Sequence, residues 1–249
     1  MRTAGIDLAA EAARTAVAVV EWGAESAVVV DLLLGADDDA VLGAVAAADL
    51  AGIDCPLGWP DAFVDLVVAH RDGTLLPPPS SARAWRRPLA LRATDVDVHA
   101  RTGLTPLSVS ADRIAHAAMR LAAILASAET RDIPCERDGS GRIVEVYPAA
   151  ALKLWGQVFR GYKGRDGATV RSELVDSLMR AATWLDLGPF EELCRASDDA
   201  LDAVLCALVA RSAAVGRTRG ATDIAVARRE GWIHLPTGTL ADLISTPAT

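Results

Sequence analysis

The chain has 249 residues and a formal net charge of −8, with 51% hydrophobic but only 4% aromatic residues. This length suits one domain with a full hydrophobic core, and the alanine-rich composition is typical of an α/β protein packed with small aliphatic side chains. The negative charge argues against a surface that wraps nucleic acid, because phosphate contacts require Lys and Arg, although it is compatible with a local basic groove.

The four cysteines have no Cys-x-x-Cys spacing, so the sequence predicts neither a zinc ribbon nor a disulfide framework. The N-terminus lacks a charged and then apolar signal pattern, and no apolar run is long enough to span a bilayer. We therefore expect a cytoplasmic protein without a membrane partner. The oligomeric state is left open.

Three apolar segments rich in β-branched residues open the chain, separated by short turns of Glu, Gly and Ala. They span residues 3–9, 14–22 and 26–33, and their spacing predicts an antiparallel meander of three strands. Residues 37–47 begin with acids and continue with apolar residues at helical spacing, which predicts a crossover helix. Residues 49–54 form the fourth predicted strand, and a right-handed crossover returns it beside the first.

Two of these predicted strands contain the same short sequence, Gly-Ile-Asp. Asp7 lies within the first apolar run, and Asp54 ends the fourth strand just before Pro56. A carboxylate buried in a central strand costs several kcal/mol unless it is paired, so Asp7 needs a cation, a buried Arg or backbone N–H groups. Two aspartates at the same edge of a sheet predict a small acidic site. The alternative for Asp54 taken alone is a cap of the turn before the proline.

The chain leaves the sheet after the fourth strand, since prolines cannot continue it. We predict a single domain of residues 1–249 with an insertion at about 55–110. The insertion contains a predicted helix at 61–70, a Pro/Ser linker at 77–81 and an Arg-rich piece at 83–95. This basic piece is either a solvated partner patch or a nucleic-acid groove.

The second half alternates predicted helices with one further strand. Ser110 is the predicted N-cap of an amphipathic helix at 111–128, and residues 142–147 form a fifth strand that contains Glu145. A basic loop with Lys163 at its centre follows. Further helices are predicted at 149–156, 168–182 and 189–195, and a short edge strand at 230–236.

A long helix that starts after Ser197 carries Asp199 and Asp202, which share one helix face because they are three residues apart. Asp199 lies in the first turn, where an acid is either a partner of the helix dipole or a ligand. Asp202 lies beyond that turn in a run of Ala, Leu and Val, where nothing local calls for a charge. We therefore predict a functional role for Asp202.

The order of these elements and motifs resembles domain of unknown function family 429. The motifs are Gly-Ile-Asp on the first strand, Ile-Asp-x-Pro-Leu-Gly-Trp-Pro after the fourth, Arg-x-Thr-Asp, Glu-x-Tyr-Pro, and Asp-x-x-Asp-Ala on the late helix, and they cover nearly the whole chain. The family is described as predicted nucleases with a ribonuclease H-like fold. The resemblance implies a mixed sheet flanked by helices, with three antiparallel strands followed by parallel strands in the order 3-2-1-4-5.

The resemblance also implies a metal site, because ribonuclease H-like enzymes bind two divalent ions through acids from the first strand, the fourth strand and a late helix. Asp7, Asp54 and Asp202 fall on these positions as metal ligands, with Glu145 and Asp199 as further catalytic residues. Mg²⁺ and Mn²⁺ prefer such oxygen ligands. Two ions roughly 3.5–4 Å apart can activate a water and stabilise the leaving oxygen of a phosphodiester.

Arg92, Asp95 and Lys163 are the predicted substrate-binding residues, with Arg92 or Lys163 holding a phosphate. Asp95 can instead pair with Arg92 and fix the insertion, and Glu145 can pair with an Arg across the sheet. The predicted function is a divalent-metal-dependent phosphodiester hydrolase, a nuclease, that acts on nucleic acid or another phosphoester. The sequence does not identify the substrate.

Two other functions remain open. Actin-like ATPases and sugar or acid kinases also begin with an aspartate on the first strand, but they continue with a Gly/Thr/Ser phosphate loop, whereas residues 9–14 read Ala-Ala-Glu-Ala-Ala-Arg. The other alternative is a catalytically inactive ribonuclease H-like binding module. Metal affinity separates it from an enzyme, because acids neutralised by arginines should not bind Mn²⁺.

Overall fold

A computed structural model describes residues 1–78 and 83–244 of the chain. The described residues form eight strands and ten α-helices. The strands are β1 (Arg2–Asp7), β2 (Ala16–Trp22), β3 (Ala27–Leu34), β4 (Leu50–Asp54), β5 (Ile143–Glu145), β6 (Leu185–Asp186), β7 (Thr218–Arg219) and β8 (Leu235–Pro236). The helices are α1 (Asp38–Ala47), α2 (Asp61–Arg71), α3 (Arg83–Ala90), α4 (Ala93–Thr102), α5 (Ile114–Glu129), α6 (Pro148–Leu154), α7 (Ala168–Ala181), α8 (Glu191–Ala196), α9 (Asp198–Ala214) and α10 (Ile224–Glu230).

The main sheet has six strands in the spatial order β5-β4-β1-β2-β3-β6. β1, β2 and β3 form an antiparallel meander, β4 runs parallel to β1, and β5 runs parallel to β4. This confirms an α/β fold with a mixed sheet flanked by helices. The sixth strand, β6, pairs in parallel with the outer strand β3, and two residues are too few to give a recognisable strand pattern in the sequence.

Helices cover both faces of this sheet. On one face α9 packs against small and β-branched residues of the central strands, with Ala203, Val204 and Ala207 buried. On the other face α1 and α5 cover Ile6 and Ile53. The central strands of the sheet, which carry Asp7 and Asp54, are therefore buried on both faces.

Two glycines allow α9 to lie directly on the sheet. Gly5 of β1 pairs in register with Gly52 of β4. A Cβ atom on Gly5 would lie 1.9 Å from the carbonyl oxygen of Ala203, and one on Gly52 would lie 2.3 Å from that of Cys206. Any side chain at either position would push the helix away, so the glycines set the distance between α9 and the two strands.

Several predicted boundaries are wrong. Residues 83–90 form a helix that the sequence did not suggest, and α5 begins at Ile114 rather than after Ser110. The hydroxyl of Ser110 donates instead to the carbonyl of Leu89 at 2.6 Å, which ties the insertion to the start of α5. The predicted strand at 230–236 is reduced to β8, because Glu230 still belongs to α10.

The predicted Pro/Ser linker extends over residues 79–81, which lie outside the described residues. Within the described ranges, no helix is both long and apolar enough to cross a membrane.

Candidate metal site at the strand ends

Three aspartates from distant parts of the chain meet at one edge of the sheet. Asp7 ends β1 and lies in register with Asp54 at the end of β4. Side chains alternate along a strand, so both aspartates share the sheet face of Gly5 and Gly52, the face that α9 covers. Asp202 projects from α9 into the same place. One carboxylate oxygen from each of the three lies within 4.8 Å of the others.

Asp202 is the most enclosed of the three carboxylates, with 1% of the residue exposed. The hydroxyl of Tyr162 donates to its Oδ1 at 2.8 Å. Its Oδ2 lies 2.6 Å from the Nζ of Lys163, the only cationic group in contact with this carboxylate among the described residues. A cation that replaced the ammonium would find this oxygen already directed into the site.

The three carboxyl groups disfavour one another's charge. Burial, followed by repulsion from Asp202 and Asp54, raises the pKa of Asp7 well above its usual range. Burial raises the pKa of Asp54 to about 7, against the attraction of Lys163. Burial also raises the pKa of Asp202, although Lys163 and Tyr162 oppose it. A divalent cation would remove this penalty, because it favours all three charged forms and displaces their protons.

Lys163 supplies the cation nearest to this acid cluster. It lies between Gly161 and Gly164, which both have positive φ angles, and 53% of its side chain is exposed. Although burial alone would lower it, the attraction of Asp202 and Asp54 raises the pKa of Lys163 above its ordinary value, so the ammonium is charged. Lys163, predicted to hold a phosphate, therefore partly balances the charge of the acids themselves.

Asp199 lies on the helix face expected from the sequence but is bound elsewhere. Its two carboxylate oxygens accept hydrogen bonds from Nε and Nη2 of Arg14, at 2.9 and 3.0 Å. It does not belong to the group of acids whose oxygens converge. The structure thus separates Asp199 from the three predicted metal ligands and gives it an arginine partner.

Glu145 also has an arginine partner. Arg92, which is 1% exposed, donates to both oxygens of Glu145 at 2.8 and 2.6 Å and to both oxygens of Asp95 at 2.9 and 3.2 Å. A further hydrogen bond to the carbonyl of Glu230 engages its fifth N–H group. Guanidinium has five donors.

The two pairings that the sequence left as alternatives, Asp95 with Arg92 and Glu145 with an Arg, are therefore the ones present. No N–H of Arg92 is left for a phosphate, and Asp95 is fully buried. Arg92 lines the cavity described below with all of its N–H groups engaged, and substrate binding by Arg92 and Asp95 stays a prediction. The pairing with Arg92 makes Glu145 a residue that fixes the insertion to the end of β5, and its catalytic role stays a prediction.

A cavity of about 500 Å³ opens beside Asp7 and Asp54. Its walls contain both acids, the Glu145–Arg92 pair, cations, three aromatic residues (Tyr147, Phe159 and Tyr162) and several apolar side chains. The lining residues outside the acid cluster and that pair include Pro106, Leu107, Arg113, Ile114, Val146, Tyr147, Phe159, Arg160 and Lys163.

Sequence reasoning missed two contacts at this site and the packing role of a repeated glycine. Tyr162 has no local pattern that connects it with Asp202, because the contact depends on how the 161–164 loop returns to α9. Arg14 is likewise matched to Asp199 only by the fold. The glycine that precedes Ile-Asp in both strands allows the close approach of α9, and its repetition was the signal in the sequence for this role.

Comparison with known proteins gives one finding. The sequence profile of a family described as "Protein of unknown function (DUF429)" matches residues 5–225, which include all three converging aspartates. No curated protein and no solved structure matches the chain.

Proposed function

The chain belongs to the family of unknown function DUF429, and we propose that it is a divalent-metal-dependent phosphodiester hydrolase whose metal ligands are Asp7, Asp54 and Asp202. One observation carries the proposal. Carboxylate oxygens from β1, β4 and α9 lie within 4.8 Å of one another, and Asp202 is buried at this point with only Tyr162 and Lys163 as polar partners among the described residues.

The residues fit Mg²⁺ or Mn²⁺. All the donors are carboxylate oxygens, which hard cations prefer, and no arginine in the described ranges forms a salt bridge with Asp7 or Asp54. This contrast supports an active site over an inactive module, since the arginine-neutralised acids are Asp199 and Glu145, outside the cluster. Two bound ions would supply Lewis-acid activation of a water and of the phosphoryl oxygens.

The chain's own residues position these groups. Tyr162 donates to Oδ1 of Asp202 and Lys163 contacts Oδ2, so these two residues fix the orientation of the carboxylate. Asp7 ends β1, which pairs with β4 and is covered by α9, and its carboxylate would be one of the ligands of a bound cation. Lys163 can move from Asp202 to a phosphate oxygen once a metal is bound, because its loop has a glycine on each side.

The proposed reaction is a hydrolysis. The oxygen of water forms a bond to phosphorus while one ester P–O bond breaks, the proton of the attacking water leaves to solvent, and the departing oxygen takes up a proton. No oxidant or reductant is needed.

We further propose that the fold is ribonuclease H-like. Support comes from the antiparallel meander β3-β2-β1 continued by the parallel strands β4 and β5, and from a helix, α9, that brings an acid to the ends of β1 and β4. The short strand β6 is an addition at the outer edge. The kinase-type alternative lacks support, because a turn containing Glu11 follows β1 in place of a phosphate loop.

The test compares wild type with Asp7→Asn and Asp202→Asn in Mn²⁺ binding by isothermal titration calorimetry and in cleavage of a phosphodiester panel with Mg²⁺ or Mn²⁺. Asp31→Asn, an exposed carboxylate on β3, is the matched control. We expect binding and cleavage to be lost in the two site variants and kept in the control. Equal activity in all four proteins would refute the proposal, and ATP turnover instead would favour the kinase-type alternative. The stoichiometry of the titration gives the number of ions.

A further inference from the structure

The cavity beside the acid cluster has walls of different chemistry. Asp7 and Asp54 form one end. Tyr147 and Phe159 contribute aromatic rings, and both are half-buried. The remaining walls contain cations and apolar residues. Such an arrangement suits a ligand that has an anionic phosphodiester at one end and a flat apolar group at the other.

We propose, resting on the hydrolase function above, that this cavity admits a single nucleotide unit, with its phosphodiester at the aspartates and its base against the aromatic and apolar wall. The substrate class is then a small nucleotidyl phosphodiester or the unpaired end of a strand. A continuous duplex is excluded.

The size of the cavity supports a single unit. About 500 Å³ is within the range of small-molecule sites, roughly 300–1,000 Å³. A duplex cannot enter a cleft of this size, and enzymes that act on one base in such a pocket must take it out of the stack. The net charge of −8 offers little to hold a long polyanion outside the pocket.

Two arginines of the cavity have no salt-bridge partner. Arg113 and Arg160 are exposed, and no salt bridge holds either of them within the described residues. Arg92, by contrast, is saturated by carboxylates. Because Arg113 and Arg160 lie at the cavity and have no carboxylate partner, they are available for the phosphate of a nucleotide.

Phe159 is the ring best placed to stack a base. The core holds it from one side, and the guanidinium of Arg160 lies 5.3 Å from its centroid. Lys153 is also near the ring, at 4.9 Å, but its Nζ donates to the carbonyl of Thr102. A base can replace the guanidinium on the ring while Arg160 turns to the phosphate, and stacking of this kind contributes about 1–3 kcal/mol per base.

The test uses a substitution that places a larger side chain in the cavity. Leu107 lies in its wall with 47% of its surface exposed, so Leu107→Trp adds volume without disturbing the core. Met119→Trp is the matched control, because Met119 is 58% exposed on α5 and does not line the cavity. Calorimetry measures the binding of Mn²⁺ and then of thymidine 5′-monophosphate to the Mn²⁺-loaded protein.

We expect Leu107→Trp to weaken nucleotide binding at least about tenfold, equivalent to about 1.4 kcal/mol, while Mn²⁺ binding is unchanged. The control should match wild type in both. Unaltered nucleotide binding in Leu107→Trp would overturn the assignment of the cavity. Arg160→Ala, with Arg180→Ala on α7 as its control, tests the same point at exposed positions where folding is not at risk.

Hydrolysis assays show whether the bound nucleotide unit belongs to a small molecule or to the end of a nucleic-acid strand. The substrates are the p-nitrophenyl ester of thymidine 5′-monophosphate, a linear single-stranded oligonucleotide, and closed circular duplex DNA. Turnover of the ester alone indicates a small nucleotidyl substrate, and progressive shortening of the oligonucleotide indicates a strand end; either supports the inference. Cleavage of the closed circle as fast as the ester would overturn the inference and leave the hydrolase intact, whereas absence of Mn²⁺ binding would overturn the proposed function and this inference with it.

Discussion

The contact between β1 and α9 gives the sharpest test of how the site is built. Gly5→Ala places a methyl group 1.9 Å from the carbonyl oxygen of Ala203 and 2.3 Å from the backbone nitrogen of Ala207. An ordinary van der Waals contact begins at about 3.4 Å, so strand and helix must separate by about 1.5 Å. Both atoms belong to the backbone of a buried helix, and no side-chain rotation can relieve the overlap.

The expected cost follows from this geometry. Overpacking a core costs about 1–3 kcal/mol, and a clash with backbone belongs at the upper end. A loss of about 3 kcal/mol corresponds to a fall in Tm of roughly 6–12 °C for a chain of this size. Metal sites tolerate only about 0.2 Å in ligand distance, so a displaced Asp202 should also weaken Mn²⁺ binding at least about tenfold.

Gly43→Ala is the matched control. Gly43 is exposed within α1, and an added Cβ atom there meets nothing within 4 Å. The same substitution should stabilise the protein by about 0.5–1 kcal/mol through its helix propensity, and it should leave Mn²⁺ binding unchanged. Urea denaturation and calorimetry measure both quantities. If Gly5→Ala and Gly43→Ala have similar unfolding midpoints and similar Mn²⁺ affinities, the close approach of α9 does not position Asp202.

Three further outcomes are expected. Lys163→Met removes the ammonium that contacts Asp202, so the metal-free protein should lose stability. Because no side-chain cation then competes, Mn²⁺ should bind about tenfold more tightly. Weaker Mn²⁺ binding in calorimetry would contradict this role of Lys163. Arg92→Met leaves two buried carboxylates unpaired and should lower the free energy of unfolding by about 3–5 kcal/mol, measured by urea denaturation. Arg14→Met breaks an exposed pair and should lower it by less than about 1 kcal/mol. Equal losses of stability would show that burial does not determine the strength of these pairs. The folded-state pKa of Asp54, about 7, exceeds its unfolded value of about 3.9, so its protonated form is favoured by folding. Its contribution to stability is present below pH 4 and is lost as the pH rises through 7, and Mn²⁺ should reverse this trend in thermal unfolding between pH 5 and 8.

Local patterns in the sequence were sufficient for most of the sheet. The apolar runs, the acid-led helix α1 and the prolines after Asp54 predicted the meander, the crossover and the departure of the chain from the sheet. They also predicted that Asp7 and Asp54 lie on neighbouring strands, because the right-handed crossover returns the fourth strand beside the first. The family resemblance then added Asp202 to the same edge, and its distance to the other two acids agrees with that expectation.

Local patterns were not sufficient where a charge could have several partners. Arg92 and Asp95 are three residues apart, but Glu145 reaches Arg92 only because the insertion folds back on β5, and nothing at position 145 reveals which cation will reach it. Asp199 and Asp202 share a helix face, yet Arg14 binds the first and the acid cluster receives the second. Ion pairs form across the chain at ranges that no sequence period encodes.

The sequence by itself determined the order of strands and helices around the site and the residue types at each strand end, because hydrophobic periodicity and turn chemistry act over a few residues. Only the tertiary structure decided which acids are neutralised by arginines and which stay together without one. The reason is physical: pairing depends on which side chains are buried against each other, and here two glycines that let a helix rest on the sheet bring Asp202 to Asp7 and Asp54.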